Sequence, residues 1–254
     1  MLDNMIKEGS PTIPENVLRA QQDRFSVYAK ISISFPLAFP PGDGDGVSSC
    51  LLSNVIDLMH NNDPIEADFV CFYQELQKMI GQEVRCRLVG FDTQEVDIPV
   101  NLKNSPTSRN VGVPQPFAKM GTDFLTAQLL EIKGDIPNQD AVLDCDCYGI
   151  DLYGRLLVDI RSAHNRNVET EPQRQPLNRF EMAERFLANG VAHPTYGGYI
   201  DNNLLLAFRS AQENKKGAYG DPEGRDFVHP SVYRAARRAL TVKIRKRNRP
   251  EYHE

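Results

Sequence analysis

Three side chains that could do chemistry together lie within nine residues of the sequence, in the segment RLVGFDTQE. They are Arg87, Asp92 and Glu95. The alternation in VRCRLVGF predicts a strand with Arg87 on the face opposite to Cys86 and Leu88. Of two carboxylates just after a strand, one can bind a hard cation while the other acts as a base and accepts a proton. An arginine and two acids at a strand end also form ordinary surface ion pairs, so the segment alone leaves both interpretations open.

A second guanidinium follows a tight turn later in the chain. The turn reads Asp-Leu-Tyr-Gly-Arg, from Asp151 to Arg155, and Gly154 permits the sharp bend. Arg155 begins the apolar segment RLLVDI. Taken alone, this pattern predicts a hairpin turn and nothing more.

The charge of the chain is unevenly distributed. Its 254 residues include 29 Lys and Arg against 34 Asp and Glu, a net charge of −5. Eight of the cations lie between Ser231 and Pro250, so the other residues hold 21 basic side chains against 34 acidic ones, a net charge of −13. Such a basic tail can contact phosphates, or it can be a solvated terminal helix. The acidic total excludes a broadly basic protein that coats nucleic acid.

The sequence shows neither a membrane span nor an N-terminal export signal. We therefore expect a cytoplasmic protein without a membrane partner. Five cysteines in a chain of this length indicate a reducing compartment.

Strand and helix signals alternate along the chain. Apolar alternation or short apolar runs predict strands in FSVYAKISISF, DFVCFY, EVRCRLVGF, AVLDCDCY and RLLVDI. Apolar residues at helical spacing, with capping signals, predict three helices over 117–133, 178–189 and 201–216. This order favours an α+β fold with an antiparallel sheet or a small barrel.

Taken in order, these motifs resemble the thermonuclease, or staphylococcal-nuclease-like, family. The matching series is RLVGFDTQE, a helix after QPF, DLYGRLL, a helix ending LANGVAH and a helix ending NKKGAYGDP. It spans about 68–222. The resemblance implies an OB-type five-stranded β-barrel with three helices, and a metal-dependent nuclease, typically using Ca²⁺, that hydrolyses the phosphodiester bonds of DNA or RNA.

The resemblance also implies roles for individual residues. Asp92 and the backbone carbonyl of Thr93 would bind the metal, Glu95 would be the general base, and Arg87 and Arg155 would contact the phosphate. These residue types suit the reaction, because two guanidiniums and a hard cation can stabilise the negative charge that builds on the phosphate oxygens. Oxygen ligands favour Ca²⁺, with Mg²⁺ as an alternative.

Two segments could supply the first metal ligand, which in the family lies in an Asp-Gly-Asp-Thr stretch before the second strand. The stretch Glu66-Ala67-Asp68-Phe69 keeps one acid of this motif. The stretch 43–46 (Asp-Gly-Asp-Gly) is more similar to the motif in sequence. We favour Asp68 because DFVCFY reads as a strand, whereas 43–46 lies in a loop rich in proline and glycine.

The remaining candidates are single residues. Tyr196 falls where the family has a tyrosine that contacts the nucleotide, although a structural aromatic is an equal alternative. His193 in a loop is expected to be exposed. Cys145 and Cys147 share one strand face and are expected to be core thiols rather than metal ligands.

We therefore predict a thermonuclease-like hydrolase with three parts: an N-terminal extension of unknown role (1–60), the nuclease domain (61–222) and a basic C-terminal tail (223–254). The alternative is a catalytically silent OB-type module that binds nucleic acid or another partner. Oligomeric state is not predicted.

Overall fold

The computed structural model describes residues 25, 27–35, 44–59, 67–94, 117–133, 140–163, 177–195, 199–221, 227, 229 and 230. The described elements, in chain order, are β1 (Tyr28–Phe35), β2 (Gly46–Met59), α1 (Ala67–Lys78), β3 (Glu83–Leu88), β4 (Phe91–Asp92), α2 (Ala118–Lys133), β5 (Ala141–Ile150), β6 (Leu156–Ala163), α3 (Glu181–Ala188), β7 (His193–Pro194), α4 (Asn202–Glu213) and a short 3₁₀ helix (Gly217–Gly220). The α+β class predicted from the sequence is confirmed.

Five strands form one mixed sheet. β1 pairs with both β2 and β5, β2 pairs with β3, and β5 pairs with β6, all antiparallel. β3 and β6 pair in parallel, so the order β1-β2-β3-β6-β5 returns to β1 and the sheet closes on itself as a barrel. β4 and β7 form a separate two-stranded sheet.

The barrel begins earlier in the chain than the sequence predicts. β1 and β2 both lie within residues 1–60, which were expected to form a separate extension, and they pair with the strands that follow. The expected domain boundary at residue 60 therefore does not hold. The sequence conceals β2 because bulges interrupt its alternation: the ladder shifts between Val47 and Cys50, and Ser49 has a φ of 58°.

The segment DFVCFY is a helix and not a strand. It begins α1, in which Leu76 is fully buried while Phe72 and Tyr73 pack against the core. Positions 72, 73 and 76 follow helical spacing, which the six-letter apolar run hides when it is taken alone. Four α-helices are thus described instead of three, and the helices predicted over 117–133, 178–189 and 201–216 correspond to α2, α3 and α4.

The barrel interior is apolar and rich in thiols. Alternate residues of each strand point inward, including Ile31 and Ile33 of β1 and Leu156 of β6. Cys145 and Cys147 lie in this core, as predicted, together with two more buried cysteines on β2 and β3. Burial raises the pKa of the Cys145 thiol, so these side chains behave as small apolar residues.

Helices α3 and α4 pack together beside the barrel, and their ends are tied by backbone contacts. Asp201 caps α4 as predicted, because its side chain accepts a hydrogen bond from the Leu204 N–H. Gly190 ends α3 with a φ of 66°, and its carbonyl accepts a hydrogen bond of 3.0 Å from the Ala218 N–H. None of the described helices combines the length and apolar character that crossing a bilayer requires.

Candidate active site

The site is built around Arg87, on the outer face of β3. Val84, Cys86 and Leu88 alternate inward and are buried, so Arg87 must point out of the barrel. Its side chain is 19% exposed and lies between two carboxylates. One guanidinium nitrogen, Nη2, is 3.0 Å from Asp45 Oδ2 and 3.0 Å from Asp92 Oδ1. The two carboxylate oxygens are therefore within twice that distance of each other.

Both acids are almost completely buried. The side chains of Asp45 and Asp92 are only 3% and 5% exposed. Buried carboxylates need a cation and hydrogen bonds to remain ionised, and Arg87 supplies the cation here. The three side chains form a compact charged group at one edge of the barrel.

Asp45 is positioned by the loop that enters β2. Its carbonyl accepts a hydrogen bond of 2.8 Å from the Leu88 N–H, which extends the pairing of β2 with β3. Gly44 is pressed against α2: a Cβ at this position would lie 2.6 Å from the carbonyl carbon of Gly121. A Cβ on Gly121 would in turn lie 3.0 Å from the Cβ of Thr93. Gly44 thus has no room for a side chain, and the close packing of Gly121 on Thr93 brings the Asp45 loop next to the 92–94 segment.

Asp92 is positioned by the small second sheet. It pairs with His193 across β4 and β7, while the preceding Phe91 stacks on Phe186 of α3 with ring centroids 4.2 Å apart. Gly90 makes the turn into β4 with a φ of 95°, and a Cβ there would lie 2.8 Å from the Ala183 Cβ. Helix α3 therefore fixes the strand that carries Asp92.

The choice of Asp68 over the Asp-Gly-Asp-Gly loop rested on a strand that does not exist. Asp68 is the second residue of helix α1, and nothing about its side chain is described. Asp45 of the Asp-Gly-Asp-Gly loop instead directly precedes a strand and contacts Arg87. The similarity of residues 43–46 to the Asp-Gly-Asp-Thr stretch of the family is the sequence signal that points to Asp45.

Thr93 directly follows Asp92 in the chain and is buried. It is 2% exposed, and its hydroxyl Oγ1 has no hydrogen-bond partner among the described residues. The resemblance to thermonucleases implies a metal contact for its backbone carbonyl and not for this hydroxyl. Glu95 and Tyr196, predicted as general base and nucleotide contact, lie outside the described residues.

Arg155 directly precedes β6, the strand that pairs with the strand of Arg87. The parallel register pairs Arg87 with Leu157, so Arg155 stands two residues away, just before the start of β6. Its guanidinium makes hydrogen bonds and an ion pair of 2.8 Å with Asp151 across the turn. Partial burial opposes ionisation of Asp151, but hydrogen bonds from Arg155 and from the Tyr153 N–H lower the pKa of this carboxyl overall.

His193 is buried, which corrects the expectation that it is exposed. The residue is 6% exposed, and its ring packs 4.3 Å from that of Phe227 and 5.1 Å from that of His229. Burial lowers the pKa of His193 to about 3, and His229 acts in the same direction. The neutral imidazole of His193 therefore lies on β7, the strand that pairs with the Asp92 strand β4.

The donor set fits a hard divalent cation. Two carboxylates, one from the loop before β2 and one from β4, lie 3.0 Å from the same guanidinium nitrogen. All these donors are oxygens, which favours Ca²⁺ or Mg²⁺ over zinc. Within the part of the chain that the structure describes, no third Asp, Glu, His or Cys joins them. Asp45 and Asp92 would hold such an ion, with water completing its ligands.

Comparisons with known proteins leave the chain unassigned. No protein-family model matches the sequence, and no curated protein matches it. The relation to the thermonuclease family thus stays a resemblance in motifs.

Proposed function

We propose that the protein is a metal-dependent nuclease that hydrolyses phosphodiester bonds of DNA or RNA, using a site formed by Asp45, Asp92, Arg87 and Arg155. The observation that carries this proposal is the contact of one Arg87 nitrogen with two buried carboxylates from distant parts of the chain. Buried charged groups are costly to maintain, and clusters of them often mark functional sites.

We also propose that the barrel is of the OB type found in thermonucleases. Apart from the two-residue β4, the strands follow the order first, second, third, fifth, fourth, with a parallel pair joining the third to the fifth. This arrangement supports a five-stranded Greek-key barrel, a fold that commonly binds oligonucleotides and oligosaccharides. Fold alone does not define an activity, so the proposal depends on the charged site.

Each residue has a distinct part in the proposed reaction. Asp45 and Asp92 hold the divalent cation, which would stabilise charge on the phosphate and lower the pKa of the attacking water. Arg87 and Arg155 donate hydrogen bonds to the non-bridging oxygens as negative charge develops on them. Glu95 follows Asp92 by three residues and is proposed as the base that accepts the proton of the water.

Cleavage assays test the proposal directly. Fluorescent single-stranded DNA and RNA are incubated with the protein in Ca²⁺, in Mg²⁺ and in chelator. We expect cleavage only with a divalent ion, and Arg155→Ala should lower kcat by roughly 10²- to 10³-fold without loss of folding. Arg209→Ala, a partly exposed arginine of α4 that pairs with Glu213, is the matched control and should cleave at the wild-type rate. Absence of cleavage with every divalent ion would overturn the proposal.

One observation favours a second function, a nucleic-acid-binding module without catalysis. Both guanidiniums are already paired with carboxylates, Arg87 with Asp45 and Asp92, and Arg155 with Asp151. Such ion pairs could be structural remnants of a site. This alternative predicts salt-dependent binding of nucleic acid in chelator and no cleavage in Ca²⁺.

A further inference from the structure

A third arginine, Arg85, lies in line with the two of the proposed site. It precedes Arg87 by two residues on β3 and shares its outward face, about 7 Å away along the strand. The register pairs Cys86 with Leu156, so Arg85, one residue earlier on β3, is level with Arg155, which directly precedes β6. Three guanidiniums thus lie on one face across the seam between β3 and β6.

Arg85 differs from the other two in its partners. Its side chain is exposed, and Nη2 donates a hydrogen bond to the Tyr153 carbonyl at the tip of the turn between β5 and β6. Among the described residues it forms no ion pair, whereas Arg87 and Arg155 each contact carboxylates. A guanidinium has five N–H donors, so one hydrogen bond leaves most of them available to a ligand.

The turn holds this guanidinium at the rim of the site. A Cβ on Gly154 would lie 3.8 Å from Arg85 Nη2, so the side chain lies directly over the glycine of the turn. Leu152 and Tyr153 beside it are 102% and 67% exposed, which leaves the approach open to solvent. The charge is therefore oriented, accessible and not neutralised by the described residues.

We propose that Arg85 binds the phosphate next to the one that is cleaved, so that the substrate is a polynucleotide strand rather than a diester with a single phosphate. This inference rests on the proposed function. Successive phosphates of a strand are separated by one sugar, a spacing comparable to that of alternate residues along β3. A guanidinium fork matches the geometry of a phosphate and needs no particular base.

Salt dependence of binding provides a readout other than catalysis. A single-stranded tetrathymidylate with a fluorescent label is titrated with protein in chelator at several salt concentrations. Loss of one phosphate contact should reduce the slope of log K against log salt by about 0.7 and weaken binding roughly tenfold at low salt. We expect this for Arg85→Ala, recovery of the slope in Arg85→Lys, and no change in Arg209→Ala.

Cleavage of a thymidine dinucleotide, which has a single phosphodiester, shows whether Arg85 contacts a neighbouring phosphate or only holds the turn in place. Arg85→Ala should cleave this dinucleotide in Ca²⁺ as wild type does while losing kcat/KM on the tetranucleotide. An unchanged salt slope, or an equal loss on both substrates, would show that Arg85 only holds the turn and would overturn the inference. A wild-type protein that neither binds nor cleaves either substrate would instead refute the proposed function itself.

Discussion

Arg87 compensates the charge of two buried carboxylates. The variant Arg87→Gln measures how much that compensation contributes to the free energy of unfolding. With the guanidinium removed, Asp45 and Asp92 are left buried and close together without the positive charge that lies 3.0 Å from each. Removing one partner from a buried ion pair costs about 3 to 5 kcal/mol, because the remaining charge is uncompensated. We therefore expect the free energy of unfolding in chelator to fall by about that amount.

Calcium should reverse much of this loss. In the wild-type protein the carboxylates must exchange Arg87 for the ion, whereas in Arg87→Gln they are available and repel each other until it binds. An ion at a hundredfold excess over its Kd stabilises the folded state by about 2.7 kcal/mol. The rise in Tm on adding Ca²⁺ should thus be larger for Arg87→Gln than for wild type.

The assay is thermal and urea unfolding followed by circular dichroism, with and without Ca²⁺. Arg209→Gln is the matched control: Arg209 forms a partly exposed ion pair with Glu213 within α4, and its replacement should change stability by about 1 kcal/mol or less. The reasoning would be refuted if Arg87→Gln were as stable as the control in chelator, or if its Ca²⁺-induced shift were no larger than that of wild type.

Three further predictions concern backbone packing and pH. Gly44→Ala should weaken Ca²⁺ binding in calorimetry, because its Cβ meets the backbone of α2, whereas Gly81→Ala, whose Cβ has nothing within 4 Å, should bind Ca²⁺ normally. Gly190→Ala should unfold at clearly lower urea than Gly81→Ala, since both have positive φ but only the former places a Cβ 2.3 Å from a backbone oxygen; equal midpoints would contradict this. Burial raises the pKa of Asp159 to about 7, so its contribution to stability should be lost as the pH rises from about 4 to about 7. Asp159→Asn should therefore gain stability over wild type at pH 8, by up to a few kcal/mol, and little at pH 4; an equal effect at both would refute the assignment.

The sequence correctly predicted those elements that are specified by residues within the element itself, through caps and apolar periodicity. Helix α4 has its N-cap at Asp201 and an apolar stripe, and β3 alternates strictly, so both are where the pattern places them. Arg87 and Arg155 were selected through the resemblance to thermonucleases, and the sequence correctly places them on and directly before regular strands. Strand β2 was missed because its buried residues, at 47, 50, 52 and 55, follow no single period across the bulges.

The contacts that position Asp45 could not be predicted from the sequence by local reasoning. Its role depends on the pairing of β2 with β3 and on the contact of Gly44 with α2, both of which join distant parts of the chain. The strand-like composition of DFVCFY favoured Asp68 instead, and tertiary packing of Leu76 makes that segment a helix. The burial of His193 likewise follows from its pairing with Asp92 across β7, which a loop sequence does not show.

Calcium binding by two aspartate variants is the most direct test of the central claim. In titration calorimetry, Asp45→Asn should lose at least tenfold in Ca²⁺ affinity, because it removes a buried carboxylate that contacts Arg87, while Asp68→Asn should bind as wild type does. Loss of binding in Asp68→Asn with retention in Asp45→Asn would contradict the account, as would a wild-type protein that binds no Ca²⁺.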